Sequence, residues 1–210
     1  NSPRPGDWVL EKSMDGKSWE PWQLFATDAT RCRQLTTKFR KMGYNHVVQY
    51  YDETEYNQEK PDDSVHCTTQ ASALVDTTGD QLENGEIIIR LINGRRSQNW
   101  PSKQLLKFLT ARYIRFRFLK VRTLMADLMS LQNDVTVTRR YYYSIKDISV
   151  GGMCICNGHA TSCNVTKLIA NDENSDLASA CECQHNTIGA SCEKCLPFHH
   201  QYPWRPGTSD

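Results

Sequence analysis

The chain has 210 residues, and its 25 basic and 24 acidic side chains give a net charge of +1 at pH 7. This length allows one sizeable domain and a small module, and the near-neutral charge provides no general attraction to nucleic acid. The charge therefore gives no reason to expect a nucleic-acid partner. No apolar run is long enough to cross a bilayer, so we expect no membrane insertion.

Two aromatic-rich runs near the N-terminus predict the first strands. They cover residues 8–13 and 19–25 and lie on either side of Asp15-Gly16. This dipeptide favours the tight turn of a β-hairpin, because glycine adopts positive φ without steric cost. We therefore predict that the two runs pair as a hairpin.

Two more runs predict strands further along the chain. Residues 87–92 are rich in isoleucine and stop at the turn signal Asn93-Gly94. In residues 113–118, apolar side chains alternate with arginines, and this alternation changes phase at Leu119. Because a regular strand cannot change phase, we predict a β-bulge near Phe118-Leu119.

Helical signals are few in the first three quarters of the chain. Residues 28 to about 41 and 102 to about 110 predict two short helices, and residues 135–145 predict a further strand. Many short strands separated by turns are typical of a mainly β fold. We predict an antiparallel β-sandwich or jelly roll over residues 1–153.

The cysteines are unevenly distributed. Seven of the nine follow residue 153: Cys154, Cys156, Cys163, Cys181, Cys183, Cys192 and Cys195. A segment this short buries too little apolar surface to fold without cross-links. We therefore predict a disulfide-rich module over residues 154–210. An oxidising compartment follows, and the protein is expected to be secreted. Cys32 and Cys67, alone in residues 1–153, are expected to pair, the alternative being two buried thiols.

Two further features concern processing. The sequon at Asn164 predicts a glycan in the module. The first residue is Asn, and no export signal is visible, although a secreted protein needs one. We therefore expect the N-terminus to be a boundary within a longer chain.

The module resembles the laminin-type epidermal-growth-factor-like (EGF-like) module. That family opens with C-x-C followed by G-H-A, as in residues 154–160, and later has C-x-C-x-H-N-T-x-G-x-x-C-x-x-C, as in residues 181–195. The resemblance implies three disulfides: Cys154–Cys163, Cys156–Cys181 and Cys183–Cys192. The eighth cysteine of the family is not in this chain, so Cys195 is expected to be unpaired within it.

The region before the module resembles the laminin N-terminal (LN) domain of laminin α chains. Residues 139–152 are similar to the end of that domain, residues 4–22 to its middle, and residues 152–156 to the α1/α2 type. The resemblance implies that roughly the first half of the domain is absent from this span. It also implies an extracellular, basement-membrane location and calcium-dependent assembly, although we identify no calcium site, other metal site or cofactor here.

The resemblance implies a structural and adhesive function. LN domains of α chains join β and γ chain LN domains into a network, and a P-L-E-N-G-E loop lies on the surface tied to this polymerisation. The matching residues are Leu82, Glu83, Asn84, Gly85 and Glu86, with Gln81 in place of the proline. Glu83 and Glu86 would accept hydrogen bonds from a basic partner. The alternative is a plain turn before the next strand.

A basic stretch predicts a second interaction site. Its members are Arg112, Arg115, Arg117, Lys120 and Arg122. Arginines two residues apart on a strand point the same way, so they can bind sulfate groups of heparan sulfate or sulfatides. Integrins are a further cell-surface partner that the resemblance admits. The alternative is a solvated face paired with acidic neighbours.

Other functions are disfavoured by the sequence. No catalytic motif is present, and the acidic residues of 52–63 are interpreted as a solubilising run. A zinc site made of Cys192, Cys195 and nearby histidines is disfavoured, because disulfides are expected in this compartment. A netrin-like guidance ligand would share the fold, but residues 141–146 fit the α chains better.

Overall fold

The computed structural model describes residues 4–44, 47–50, 59–72, 86–121, 142–163 and 181–207. The chain divides into two compact units, residues 1–145 and 146–210. Among the described residues, no helix has the length and apolar character needed to cross a membrane.

In the part that the structure describes, the first unit is built on a five-stranded sheet with two helices. Its elements are β1 (Asp7–Ser13), β2 (Glu20–Phe25), α1 (Ala29–Lys41), β3 (Val47–Tyr50), β4 (Val65–Thr68), a 3-10 turn (Gln70–Ser72), α2 (Lys103–Leu109) and β5 (Tyr113–Lys120). The strand order is β3-β4-β2-β1-β5. The predicted mainly β class is therefore confirmed.

The sheet is mixed, which corrects the prediction of an entirely antiparallel one. β1 runs antiparallel to both β2 and β5, whereas β4 runs parallel to both β2 and β3. The connection through α1 explains why β3 has the same direction as β2, because a helical crossover returns the chain to the same end of the sheet.

The predicted hairpin and bulge are both confirmed. Gly16 has a φ of +73°, and its N–H donates to Ser13 Oγ at 2.9 Å. The Asp15 carboxylate accepts from the N–H groups of Ser18 and Lys17, and these bonds lower the pKa of Asp15. In the β1–β5 pair, Trp8 lies opposite Phe118 and Asp7 opposite Lys120, so Leu119 is the extra residue.

Both predicted helices form, and each begins after a capping side chain. The Asp28 carboxylate accepts from the N–H of Arg31 at 2.9 Å, and Ser102 Oγ accepts from the N–H of Leu105 at 3.0 Å. These bonds satisfy amide groups that have no partner inside the helix. α1 buries Cys32, Leu35, Thr36 and Phe39.

Two strand predictions are wrong for the residues described. Residues 86–90 are not in a strand, although Ile87, Ile89 and Leu91 pack against the core, and residues 142–145 are not in a strand either. A run of β-branched residues indicates extended backbone with an apolar face, but it does not identify a neighbouring strand. Residues 135–141 lie outside the described part. The turn at Asn93-Gly94 forms, with Gly94 at a φ of +71°.

The core of the first unit lies at the β1–β2 hairpin and under α1. Trp8 stacks on Phe25 with ring centroids 3.8 Å apart, and Val9, Leu24 and Phe39 are almost fully buried. A disulfide joins Cys32 of α1 to Cys67 of β4, and this is the predicted pair. The helix is thus fixed covalently to the strand beside which it packs.

The described residues of the second unit contain little regular structure. Its strands are β6 (Thr187–Ile188) and β7 (Lys194–Cys195), which pair antiparallel. Three disulfides hold it together: Cys154–Cys163, Cys156–Cys181 and Cys183–Cys192. They are the three pairs that the family resemblance implied, and Cys195 is free.

Candidate interaction sites

The predicted docking loop is mostly outside the described residues, which exclude Leu82, Glu83, Asn84 and Gly85. Glu86 is described and exposed. Its carbonyl accepts a hydrogen bond from Arg4 Nη2 at 3.1 Å, and the next residue, Ile87, packs against the core. The C-terminal end of the loop is therefore attached to the body of the first unit.

The centre of the basic stretch is an ion-pair cluster around one carboxylate. Glu11 on β1 is only 3% exposed, and it lies beside Arg115 and Arg117 on β5. Arg115 Nε donates to Glu11 Oε2 at 2.7 Å, and Arg117 Nη2 donates to Oε1 at 2.9 Å. The carboxylate offsets one of the two positive charges and fixes the distance between the guanidinium groups.

Aromatic rings also contact the same two arginines. The Arg115 guanidinium lies 4.1 Å from the Trp19 ring centroid, and that of Arg117 lies 5.6 Å from Phe39 of α1. The side chains remain 41% and 39% exposed, respectively. Cation–π contacts favour this orientation but leave the outer N–H groups accessible to solvent.

The remaining basic residues do not converge on this pair. Arg112 precedes β5 and lies 6.0 Å from the Tyr113 ring centroid, whereas Lys120 is the last residue of β5 and is exposed. At about 3.3 Å per residue, the two lie roughly 26 Å apart along the chain. Arg122 is outside the described residues. The stretch thus comprises a paired centre and separate charges at each end.

Sequence reasoning missed the structural role of Asp62. Its carboxylate accepts from Ser97 Oγ at 2.7 Å and from Ser102 Oγ at 2.5 Å, and these hydroxyl groups lower its pKa. Asp62 therefore connects the segment before β4 to the start of α2, rather than acting as part of a solubilising run. No local pattern indicates these contacts, because the partners are 35 and 40 residues away.

Arg95 and Lys12 also have structural roles. Arg95 is 3% exposed, donates to the carbonyls of Pro61 and Ser64, and lies 4.1 Å from the Phe108 ring centroid. Lys12 Nζ donates to the Phe108 carbonyl at 2.6 Å, and burial lowers the pKa of Lys12. Both cations satisfy carbonyl groups that packing removes from water.

Two known families match the two parts of the chain. Residues 1–152 match the family described as Laminin N-terminal (Domain VI), and residues 154–208 match the Laminin/attractin EGF domain. The chain belongs to the laminin N-terminal family. It is 48% identical over 99% of its length to mouse laminin subunit alpha-1, and equally so to the human protein. It is 43% identical over its whole length to a Drosophila melanogaster laminin subunit alpha.

These laminin relatives are much longer proteins. The chain spans 6% of mouse laminin subunit alpha-1 and 5% of the Drosophila protein. Family membership and the four disulfides identify a secreted protein of the extracellular matrix, in a family whose role is structural rather than enzymatic. The predicted glycan acceptor Asn164 lies outside the described residues.

Proposed function

We propose that this laminin LN unit contributes to polymerisation by binding the LN domains of β and γ chains through the loop at residues 82–86. We expect this association to require calcium, as assembly does in the laminin family. The main support is the position of Glu86. It is exposed at the C-terminal end of the loop, and Ile87 and Ile89, which follow it, pack against the core.

This anchoring matters for affinity. A loop that must be ordered on binding loses conformational entropy, and that loss weakens the association. Here the hydrogen bond from Arg4 to the Glu86 carbonyl and the packing of Ile87 fix the loop's C-terminal end before any partner arrives. Glu83 and Glu86 then supply carboxylates that accept charge-assisted hydrogen bonds from basic partner residues.

The test is charge reversal within the native secreted protein. We expect Glu83→Lys with Glu86→Lys to abolish calcium-dependent association with β and γ chain LN domains, measured by sedimentation of the polymer. The matched control is Glu20→Lys with Glu59→Lys, which reverses two exposed acids of the same unit. Polymerisation that survives the loop change, or fails equally in the control, contradicts the assignment of the loop.

A second function, adhesion to sulfated glycans at cell surfaces, has support from the Glu11 cluster. Arg115 and Arg117 are held side by side with about 40% of each side chain exposed. Preorganised guanidinium groups lose little entropy when they bind a sulfate group. Integrins are a further candidate for adhesion, but no described feature favours them.

The two functions separate by mutation. In a Glu11→Gln background, which leaves no buried carboxylate without its partners, we expect Arg115→Gln with Arg117→Gln to reduce retention on heparin while leaving polymerisation intact, and the glutamate reversals to have the opposite pattern. Replacing Arg112 and Lys120 by Gln provides a control with the same loss of charge. Equal loss of retention in both variants would indicate a non-specific charge effect and contradict the paired arginines as the site.

A further inference from the structure

Two histidines of the second unit approach each other through equivalent ring atoms. His159 Nδ1 and His185 Nδ1 are 3.3 Å apart, although 26 residues separate them in the chain. His159 is half-buried and His185 is exposed. Neither side chain has a part in the disulfides or in the sites of the first unit.

The position of His185 depends on an unusual turn. His185 and Asn186 both have a φ of +55°, and the N–H of Thr187 donates to the Gln184 carbonyl at 3.2 Å. Left-handed backbone is uncommon for residues other than glycine, although histidine and asparagine adopt it more readily than most. The turn is also held by the bond from the Gln184 N–H to the His159 carbonyl at 2.7 Å. The same bond holds the two histidine-bearing segments together.

The ring of His159 is fixed by Trp204 and Arg205. Its Nε2 lies 2.8 Å from the Arg205 carbonyl oxygen, and Trp204 contacts it edge-on with centroids 6.1 Å apart. A carbonyl only accepts hydrogen bonds, so Nε2 carries the proton. In the neutral ring, the lone pair is then on Nδ1 and points towards His185. Histidines that bind metals are commonly oriented by such a bond from the other ring nitrogen.

Two glycines make this arrangement possible. The backbones of Gly158 and Gly207 touch, and a Cβ on Gly158 would lie 2.7 Å from the Gly207 oxygen. The N–H of Gly207 also donates to the Asn157 carbonyl at 2.8 Å. This close approach brings the Arg205 carbonyl within reach of His159. The site is therefore formed by packing of the backbone as well as by the side chains.

The separation of the two nitrogens fits a tetrahedral ion. Zinc–nitrogen bonds of about 2.0–2.1 Å at a tetrahedral angle place two ligand nitrogens about 3.3 Å apart, the distance found here. A cis pair in a square plane would be closer, at roughly 2.9 Å for the same bond length. Two imidazoles are ligands for borderline transition metals rather than for calcium or magnesium.

We propose that His159 and His185 form a binding site for a divalent transition-metal ion, with Zn²⁺ the best geometric fit. Within the described residues, no group of three or more metal-ligating side chains is found, so water or a donor from another molecule completes the coordination. The competing explanation is a hydrogen bond between the two rings with no metal function.

The experiment titrates Zn²⁺ into the secreted, untagged chain with Cys195→Ser, which removes the free thiol as an alternative ligand. Imidazole ¹⁵N NMR should show the Nδ1 signals of both histidines shifting and saturating at equimolar zinc. Calorimetry should give the same stoichiometry. Excess Mg²⁺ or Ca²⁺ should not compete, because hard cations prefer oxygen ligands.

The test variant is His185→Asn, because asparagine tolerates the left-handed backbone. We expect it to lower zinc affinity by at least about 10-fold while the disulfide map is unchanged. His200→Asn is the matched control and should bind as the parent does. Unshifted Nδ1 signals, or equal zinc affinity in His185→Asn and the parent, would overturn the proposal and leave only the hydrogen bond.

Discussion

At the scale of single residues, the buried carboxylate of Glu11 is the clearest case of a charge with a structural role. Burying one ion is costly unless opposite charges and hydrogen bonds compensate. Arg115 and Arg117 provide both, and they join β1 to the edge of the described sheet formed by β5. The alternation of arginine with apolar residues predicted that the two side chains share a face. It did not reveal their common partner.

We expect Glu11→Gln to lower the free energy of unfolding by about 2 kcal/mol, less than for a fully buried pair because both arginines are half-exposed. Urea unfolding measures the change. Glu59→Gln is the control, because its pair with Arg96 is exposed and 3.6 Å long, and should cost less than about 0.5 kcal/mol. Equal costs in the two variants would show that burial of Glu11 is energetically unimportant.

A second residue-scale prediction concerns acid. Burial, with Arg95 and Lys60 nearby, lowers the pKa of His66 to about 3. An unfolded histidine binds a proton near pH 6.5, so the unfolded state binds more protons between these values. The neutral His66 therefore makes its full contribution to the free energy of unfolding above about pH 6.5. This contribution decreases on acidification, by up to about 1.4 kcal/mol per pH unit.

Urea unfolding at several pH values between about 7 and 5 measures this slope, because an unfolded aspartate, with a pKa of about 3.9, gains few protons above pH 5. His66→Gln should flatten it, because glutamine does not titrate. An unchanged slope in the variant would mean that another group is responsible. The slope is measured within each protein, so a loss of stability that is the same at every pH does not change it.

At the scale of elements, short sequence motifs correctly predicted the helix starts, the β1–β2 turn and the bulge in β5. Asp28 and Ser102 mark helix starts, and the Asp15-Gly16 turn and the phase change at Leu119 each act within a few residues. The parallel course of β4 depends on pairing Leu24 with Cys67, which no local pattern encodes. The strand predicted at residues 87–92 is wrong for the same reason, since an isoleucine-rich run can pack against the core without a partner strand.

The cap of α1 provides a test at this scale. Asp28→Ala should destabilise the first unit by about 1 kcal/mol, because the N–H of Arg31 loses its acceptor. Asp28→Asn should retain most of the stability, since asparagine caps helices about as well as aspartate. Denaturant unfolding followed by circular dichroism measures both. If Asn were as damaging as Ala, the carboxylate charge rather than the cap would be the stabilising feature.

At the scale of the whole molecule, the two units are stabilised by different means. The first has an apolar core and one disulfide, whose cysteines are 0% and 2% exposed. The second has two-residue strands and three disulfides, and Cys154 is exposed. Cysteine density predicted that a disulfide-rich module follows residue 153, and the family pattern supplied the pairing of its cysteines. The contacts of His159 with Trp204 and Arg205 could not be predicted, because they depend on how the loops close.

Partial reduction should therefore follow burial. We expect limited dithiothreitol to expose Cys154 and Cys163 to alkylation first and Cys32 and Cys67 last, because a reductant must reach the sulfur atoms. Mass spectrometry of the alkylated peptides gives the order. Near-UV circular dichroism of the first unit's tryptophans should persist after the module is reduced. Early labelling of Cys32 would contradict a protected core disulfide.

The contact between Gly158 and Gly207 has a consequence for inherited variation. A methyl group on Gly207 would lie 2.5 Å from the Gly158 oxygen, so alanine at either position forces the two backbones apart. The Arg205 carbonyl would then move away from His159, while all six bridged cysteines of the module could still be oxidised correctly. Such a missense change would impair this module without any sign in a disulfide map.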